Sequence, residues 1–182
     1  MKSQLNITLE DEQNLTAIVG LGSNLDSVYG NSREVLLLAI QALSKISLKS
    51  LVRSGFYESD PVDCPAGSPR FLNAVVAVFL PIDFDAERFL SQLQKIESKL
   101  GRRRAGVVNE PRIIDLDLLC FGHKKISKSL LEIPHPRAKE RRFVLLPLAD
   151  IAPEMVLPGQ DLSVTELLNR LPQTPGVREM PG

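Results

Sequence analysis

Two aspartates at alternate positions are the residues of this sequence with the clearest chemical potential. Asp115 and Asp117 alternate with the apolar residues Ile114, Leu116 and Leu118. In a β-strand this alternation puts both carboxylates on one face, about 6.6 Å apart along the backbone. Two carboxylates facing one space suit Mg²⁺, which takes one or two protein carboxylates and completes its shell with water and substrate phosphates. A strand with a merely solvated polar face is the alternative, and it is the commoner origin of an Asp-x-Asp pattern.

Basic residues flank the acidic pair and favour an anion near any bound metal. They are Arg102, Arg103, Arg104 and Arg112 before the pair, and His135, Arg137, Lys139, Arg141 and Arg142 after it. Guanidinium groups match phosphate oxygens in pairs, and phosphoryl transfer depends mainly on positioning and charge neutralisation. A nucleotide site is one hypothesis, and a solvated arginine loop with weak nucleic-acid contact is the other. For His135, held between two prolines, a phosphate contact and a structural loop role both stay open.

Charge is balanced over the whole chain but concentrated along it. The 182 residues include 22 basic and 22 acidic side chains, so the formal net charge is zero. Residues 99–142 contain twelve of the basic and five of the acidic residues, a local excess of +7 against −7 elsewhere. This distribution argues against a general nucleic-acid or membrane-binding protein and favours a local anion site.

Two common nucleotide motifs and the RNA-binding pattern are missing from the sequence. There is no Gly-x-x-x-x-Gly-Lys-Ser/Thr run, and Gly20-Leu-Gly-Ser-Asn-Leu25 lacks the third glycine of a dinucleotide loop. We therefore interpret these glycines as a tight turn at a strand end. Aromatic residues make up 5% of the chain and tryptophan is absent, so bases would find few stacking partners.

The elements that must position these residues follow the order β-α-β-β-α-β. Apolar periodicity predicts strands at 16–21, 48–56, 71–80 and 112–121, a helix at 33–46 capped by Asn31 or Ser32, and a second helix from Asp83 or Asp85 to Gly101. This order is the ferredoxin-like pattern. We expect an α+β fold with an antiparallel or mixed sheet and helices packed on it. Residues 57–70 form a long proline-containing loop, and prolines beyond 121 mark loops, a short helical stretch and a final helix capped by Ser163.

Length and composition indicate one soluble domain. The chain is 43% hydrophobic and 24% charged, and it contains no apolar run long enough to span a membrane. We place the domain at 15–172, between a polar arm at 1–14 and a tail at 173–182. Because the arm lacks the apolar core of a signal peptide, we expect a cytoplasmic protein. Cys64 and Cys120 lack zinc-site spacing and are expected to be reduced thiols.

Four motifs occur in an order that resembles one known family. They are Gly22-Ser-Asn-Leu25, Phe71-Leu-Asn-Ala74, Pro111-Arg-Ile-Ile-Asp-Leu-Asp117 and Pro134-His-Pro136. Over about residues 16–172, the sequence resembles the 6-hydroxymethyl-7,8-dihydropterin pyrophosphokinase (HPPK) family. The resemblance implies Mg²⁺-dependent transfer of the terminal diphosphate of ATP to the hydroxymethyl group of the pterin, with release of AMP, in folate biosynthesis.

The resemblance also implies roles for individual residues. Asp115 and Asp117 would bind two Mg²⁺ ions, while Arg102 and Arg112 would act on phosphates near the reacting centre. ATP contacts are implied for Glu97, Arg104, Arg112, His135 and Arg141. Pterin contacts are implied for Ser59, Val62, Phe71, Asn73 and Phe143, with the two aromatic rings stacking on the flat pterin and the amide bonding to its edge.

The sequence departs from the family pattern at Asn109-Glu110, where an aromatic residue and a glycine are frequent. Ring packing against ATP is therefore not expected there. We expect a monomeric enzyme whose partners are ATP and the pterin, without nucleic acid or membrane. The alternatives are a ferredoxin-like module that binds phosphates or RNA without turnover, and a degenerate relative that reacts slowly. The pair Asp115 and Asp117 favours a metal enzyme and disfavours an RNA-binding sheet.

Overall fold

The computed structural model describes residues 7–103, 110–174 and 176–181. Its strands are β1 (Asn14–Ser23), β2 (Val52–Arg53), β3 (Tyr57–Ser59), β4 (Phe71–Pro81), β5 (Asp115–Phe121), β6 (Ile126–Lys128), β7 (Leu131–Ile133) and β8 (Val177–Glu179). Its α-helices are α1 (Ser32–Ser44), α2 (Ala86–Lys99), α3 (Arg142–Ile151) and α4 (Val164–Arg170), and a 3₁₀ turn spans Ala138–Glu140. None of the helices within these ranges is long and apolar enough to cross a membrane.

The main sheet has the strand order β5-β1-β4-β3-β8, and β2 adds to β4 beside β3. All of these pairs are antiparallel. The long central pair, β1 with β4, runs from Asn14 opposite Pro81 to Ser23 opposite Leu72. The four strands of the predicted pattern are adjacent in ferredoxin-like order, and the sheet is antiparallel throughout. The predicted fold class is confirmed.

Helices cover both faces of the sheet. On one face, α1 and α2 pack against alternate residues of the central strands, such as Val19 and Val76. On the other face, α3 and α4 pack against the intervening residues, such as Ile18 and Val75. Because both faces are covered, β1 and β4 consist of nearly continuous apolar residues rather than alternating ones.

The helices begin where side chains can accept their free N–H groups. The Asn31 side chain accepts from the backbone of Arg33 and Glu34, and Glu34 bonds back to the Asn31 N–H. Asp85 caps α2. Ser163 caps α4, and the Glu166 carboxylate in turn accepts the backbone N–H of Ser163. Of the predicted alternatives, Asn31 and Asp85 are the caps.

The predicted strand at 48–56 is wrong in extent, because just Val52–Arg53 pairs with β4. The ladder stops at Ser54, whose hydroxyl accepts the Val75 N–H at 3.0 Å in place of a backbone carbonyl. The chain then resumes pairing at Tyr57–Ser59, inside the segment predicted as loop. A side-chain bond that competes with the ladder thus ends the paired part of the predicted strand at Arg53, and β3 is a separate strand that the sequence did not predict.

The prolines after β5 predicted less regular secondary structure than the protein has there. Pro147 was expected to mark a loop or helix boundary, but it lies buried inside α3. The remaining residues of α3 that face the sheet are apolar, among them Val144, Leu145 and Leu148. The free energy gained by burying these side chains against the sheet is larger than the cost of the backbone hydrogen bond that proline cannot make.

Described residues near both ends of the chain pack on the sheet or join it in ways that periodicity did not predict. Leu9 is buried, and its carbonyl accepts the Thr16 N–H at 2.7 Å, so the residues just before β1 pack on the core. At the other end, Val177–Glu179 forms the edge strand β8. A three-residue strand is too short to be recognised by alternation.

Candidate active site

The two aspartates lie on one sheet face, beside two glycines. Asp115 pairs with Gly22, and Asp117 pairs with Gly20, in the register of β5 with β1. On its other side, Gly22 pairs with Asn73 of β4. Asn73, Gly22 and Asp115 therefore form a row across three strands. Because the central residue has no side chain, open space separates the amide from the carboxylate.

That space would be filled by any side chain at Gly22. A Cβ atom there would lie 3.6 Å from Asn73 Oδ1, 3.8 Å from Phe71 and 4.0 Å from Asp115 Cβ. Gly20 and Gly22 are residues within β1, so the predicted tight turn at these glycines is wrong. They leave a hollow on the sheet surface where a ligand can approach the backbone.

Ion pairs hold Asp115 in place. Arg112 Nη1 lies 3.2 Å from Asp115 Oδ2, and Arg102 contacts both Asp115 and Glu97. Glu97, on α2, is 4% exposed, and its carboxylate also accepts the Leu116 N–H at 2.8 Å. Burial raises the pKa of Glu97, while the positive charge of Arg102 opposes that rise. Glu97 thereby fixes Arg102 and the start of β5.

Asp117 experiences a different environment from Asp115. Burial, followed by the negative charge of Asp115, raises the pKa of Asp117 to about 7, against the opposing charges of Arg141 and Arg112. A cation between the two carboxylates would remove this repulsion. Among the described residues no group of three or more His, Cys, Asp or Glu side chains is placed to hold a metal ion. Two hard carboxylates therefore fit an ion such as Mg²⁺ that takes its other ligands from substrate and water.

A narrow pocket of about 70 Å³ opens on the row formed by Asn73, Gly22 and Asp115. All five residues predicted to contact the pterin line this narrow pocket: Ser59, Val62, Phe71, Asn73 and Phe143. Asn73 Nδ2 donates to Ser59 Oγ at 2.9 Å and to the Tyr57 carbonyl at 3.2 Å. These bonds fix the Asn73 side chain, with Oδ1 towards Gly22.

A wide cleft of about 720 Å³ adjoins the narrow pocket. Its charged lining includes the predicted ATP residues Glu97, Arg112, His135 and Arg141, together with Arg102, Lys128 and Arg137. Four residues line both cavities, namely Arg112, Asp115, Asp117 and Arg141. The acidic pair thus stands where the two cavities meet. Arg104, also predicted to contact ATP, lies outside the described residues.

Two arginines lie beside the two aromatic rings of the narrow pocket. The Arg112 guanidinium lies 5.3 Å from the centre of the Phe71 ring, and that of Arg141 lies 5.4 Å from the Phe143 ring. Arg112 Nε is buried and finds no hydrogen-bond acceptor among the described residues. A buried donor without a partner is unusual in folded proteins, and a ligand oxygen would satisfy it.

His135 is fixed at the wall of the wide cleft. The backbone N–H of His135 donates to the Leu119 carbonyl at 2.9 Å. Nδ1 of its ring accepts the backbone N–H of Arg137 at 3.2 Å. Burial, with the charges of Arg141 and Arg137, lowers the pKa of His135. The ring is therefore neutral at pH 7 with its proton on Nε2, where it can donate to an anion.

Sequence reasoning missed several residues of the site. Asn24 Oδ1 accepts the Arg112 N–H at 2.7 Å, and its amide donates to the Pro69 carbonyl at 3.1 Å. Asp60 and Cys64 also line the narrow pocket. The position of Asn24 directly after the Gly-Ser pair was a local signal, but its partners lie far away in the chain. No local pattern marks Asp60 or Cys64.

A profile of the 7,8-dihydro-6-hydroxymethylpterin-pyrophosphokinase (HPPK) family matches residues 18–153, more than half of the chain. The chain belongs to the HPPK family. A 2-amino-4-hydroxy-6-hydroxymethyldihydropteridine pyrophosphokinase of Pseudomonas aeruginosa is 40% identical over 169 residues, which cover 90% of this chain and 96% of that protein. The predicted HPPK family membership, and with it a pyrophosphokinase activity in folate biosynthesis, is confirmed.

Larger proteins also contain a region similar to this HPPK chain. The folic acid synthesis protein fol1 of Pneumocystis carinii is 39% identical over 158 residues, covering 87% of this chain but 20% of that protein. The crystal structure of wild-type Plasmodium falciparum HPPK-DHPS with pteroate matches 89% of this chain and 43% of its own, with a TM-score of 0.64 and 17% identity. At this identity the match supports the HPPK fold alone. The chain thus spans a fifth to under half of these longer relatives.

Proposed function

We propose that this pyrophosphokinase binds 6-hydroxymethyl-7,8-dihydropterin in the narrow pocket and ATP with magnesium in the wide cleft. The observation that carries the proposal is the junction of the two cavities at Asp115 and Asp117. A group transferred from a nucleotide to a pterin must pass such a junction. The hydroxymethyl oxygen would attack the β-phosphorus there, and the bond to the α-phosphate oxygen would break, so that AMP leaves.

Asp115 and Asp117 would hold two Mg²⁺ ions together with triphosphate oxygens. When bound, the metal neutralises phosphate charge and aligns the phosphorus for in-line attack. Burial and then the negative charge of Asp115 raise the pKa of Asp117, and a bound cation would offset both effects, which supports this assignment. Arg102 contacts Asp115 and lines the wide cleft, where it would contact phosphate oxygens.

Arg112 and Arg141 would bind the phosphates on the pterin side of the junction. Both line both cavities, and Arg112 has its buried Nε without an acceptor among the described residues. Asn24 and Asp115 hold the Arg112 backbone and guanidinium, so little further ordering is needed when a phosphate binds. His135 would donate from Nε2 to the nucleotide, and Glu97 would hold Arg102 in position.

The pterin would lie between the faces of Phe71 and Phe143, with its edge against Asn73. A planar, polar heterocycle needs apolar faces and a fixed donor-acceptor edge, and the narrow pocket supplies both. The Asn73 amide already donates to Ser59 and Tyr57, so its Oδ1 is oriented as an acceptor for a pterin N–H. Val62 would cover the ring from the loop after β3.

The test is nucleotide product analysis after incubation with ATP, Mg²⁺ and the pterin. We expect AMP to form only when the pterin is present, and a diphosphorylated pterin to form in equal amount. ADP as the product would instead indicate transfer of a single phosphoryl group. Omitting Mg²⁺ or adding a chelator should stop the reaction. Unchanged turnover without divalent metal would refute the metal assignment.

We further propose that the protein acts as a cytoplasmic monomer, without nucleic acid or membrane partners. Balanced overall charge supports the absence of nucleic-acid and membrane partners, since the basic segment is matched by acidic residues elsewhere. Size-exclusion chromatography with light scattering measures the oligomeric state directly. A dimer mass at micromolar concentration would contradict the monomer.

A further inference from the structure

The edge strand β8 is paired with the strand that forms one wall of the narrow pocket. Glu179 lies opposite Tyr57, and Val177 lies opposite Ser59, in antiparallel register. β3 therefore has β4 on one side and β8 on the other. Strands of three residues gain little stability from one ladder, so a second ladder matters for β3.

Backbone bonds continue beyond both ends of this short ladder. The Asp60 N–H donates to the Gly176 carbonyl at 3.3 Å, where the chain leaves β3. At the opposite end, the Met180 N–H donates to the Phe56 carbonyl at 2.8 Å. β8 thus holds the backbone from Phe56 to Asp60, the whole segment that carries the Ser59 side of the pocket.

A chain of alternating charges joins β8 to the base of the pocket loop. Arg178 Nε donates to Glu58 Oε2 at 2.9 Å, and Arg70 Nη1 donates to the same oxygen at 2.8 Å. Arg70 Nη2 lies 2.9 Å from Asp60 Oδ1. Asp60 and Arg70 are the two ends of the loop that carries Val62 and Cys64 of the pocket lining.

The position of β3 also determines the orientation of the Asn73 amide. Asn73 Nδ2 donates to two groups of β3, the Ser59 hydroxyl and the Tyr57 carbonyl. A shift of β3 would therefore move the pocket wall and turn the Asn73 side chain. The far end of the C-terminal segment is held separately, since Arg33 Nη1 donates to the Pro181 carbonyl at 3.0 Å.

We infer that β8, with Arg178 as its charged contact, is a positioning element for the pterin site. It holds β3 and the base of the 60–70 loop in the geometry that lets Ser59, Asn73 and Val62 face the ring. The arginine pairs are exposed, so their effect is expected on binding geometry rather than on stability. The inference rests on the proposed placement of the pterin in the narrow pocket.

Two variants, compared with the unchanged full-length protein, test the inference by steady-state kinetics. One ends after Thr174, and the other is Arg178→Ala. Misplacing binding groups by about an ångström can cost up to about 100-fold, so we expect the pterin KM to rise about tenfold on truncation and about threefold in Arg178→Ala. The kcat at saturating pterin and the KM for ATP should stay within about twofold.

Three further variants make the test specific. Arg178→Lys keeps the charge beside Glu58 and should restore most of the pterin affinity. Arg88→Ala removes an exposed arginine of α2 that contacts Phe84 and should change neither KM. Asn73→Ala tests the pocket itself and should raise the pterin KM more than any β8 variant.

The outcomes separate the inference from the pocket assignment. If Asn73→Ala leaves the pterin KM unchanged, the placement of the pterin is wrong. If Asn73→Ala raises it but truncation and Arg178→Ala do not, the role of β8 is wrong. A parallel loss of kcat and ATP affinity would also overturn the inference, because it would indicate general loss of structure. Should the truncated chain fail to fold by circular dichroism, Arg178→Ala alone decides.

Discussion

Asp115 and Asp117 are separated by one residue, yet the protein treats them differently. Asp115 is paired with Arg102 and Arg112, while Asp117 is half-buried, and its desolvation and the charge of Asp115 raise its pKa. The sequence predicted that the two carboxylates share a face. It could not predict which of them would be neutralised by arginine, because those contacts depend on how α2 and the segment before β5 fold back.

Replacing each aspartate by asparagine should separate stability from activity. The folded pKa of Asp117 is about 7 and lies above its ordinary value of 3.8, so metal-free native protein loses stability as pH rises through that interval. Asp117→Asn should therefore raise the melting temperature of the metal-free protein above about pH 7, with the gain vanishing towards about pH 4. Its turnover should fall by at least about 100-fold.

Asp115→Asn is the matched comparison for this prediction. It removes the charge that Arg102 and Arg112 face, so the free energy of unfolding should fall by about 1–3 kcal/mol while turnover is also lost. Thermal melts in the presence of a chelator measure both effects. A stabilised Asp115→Asn or a destabilised Asp117→Asn at pH above about 7 would contradict the described electrostatics.

A methyl group at Gly22 should impair pterin binding without impairing the fold. The new Cβ would make ordinary contacts of 3.6–4.0 Å with Asn73, Phe71 and Asp115, so no atom has to move in the free protein. It would occupy space inside a narrow pocket, and we expect the pterin KM to rise about tenfold. Unchanged circular dichroism and ATP affinity are the controls. An unchanged pterin KM would mean that the ring does not approach β1.

At the scale of elements, the site is assembled where three chain segments meet at the end of β1. Asn24, just after β1, bonds to the backbone of Arg112 before β5 and to the carbonyl of Pro69 before β4. The Asn24 N–H also donates to the Arg112 carbonyl at 3.0 Å. One buried amide thus sets the spacing between the loops that carry the side chains proposed to bind phosphate and pterin.

Asn24→Ala should loosen both of these loops together. Losing the side chain leaves the Arg112 N–H unpaired, and a buried donor without a partner costs about 1–3 kcal/mol. We expect the free energy of unfolding to fall by that amount, measured by urea denaturation, and kcat/KM to fall for both substrates. Ser163→Ala, which removes a helix cap distant from the site, is the control for stability loss alone. If that variant lowers kcat/KM equally in folded protein, the role of Asn24 is wrong.

Element boundaries were predictable where one local pattern decided them. Side-chain type narrowed each helix cap to two neighbouring candidates, which included Asn31 and Asp85, and apolar periodicity predicted the long strands. The early end of the strand predicted at 48–56 did not follow from a local pattern, since it depends on the Ser54 hydroxyl meeting Val75 of another strand. Pro147 was misjudged because burial of α3 compensates for its missing N–H. Local rules fail where a distant contact supplies the larger free energy.

At the scale of the whole molecule, the site lies on a sheet supported by helical layers on both faces. The layer of α3 and α4 carries Phe143 of the narrow pocket and packs on the same sheet face as the aspartates. Its core includes Leu145 and Leu148, which are fully buried. The shape of the narrow pocket, where we propose that the pterin binds, therefore depends on the docking of this layer.

Truncating a leucine in this layer should reduce stability and leave the chemistry unchanged. Leu148→Ala removes a fully buried side chain and should lower the free energy of unfolding by about 2–5 kcal/mol, while kcat of the folded fraction stays near normal. Leu37→Ala changes a leucine that is 43% exposed and should have an effect below about 0.5 kcal/mol. Denaturant titrations compare the two. Equal effects would contradict the described core.

The sequence by itself determined the β-α-β-β-α-β order of the core elements, the ferredoxin-like topology, the acidic pair and the family, because these depend on local periodicity and on residues close together in the chain. Through the family resemblance it also predicted five residues that contact the pterin, and these five residues line one pocket in the structure. Only the tertiary structure decided that Gly22 separates Asn73 from Asp115, that Asn24 connects two loops, and that β8 supports β3. Each depends on strand register or contacts between distant segments, which are determined by the packing of the whole domain.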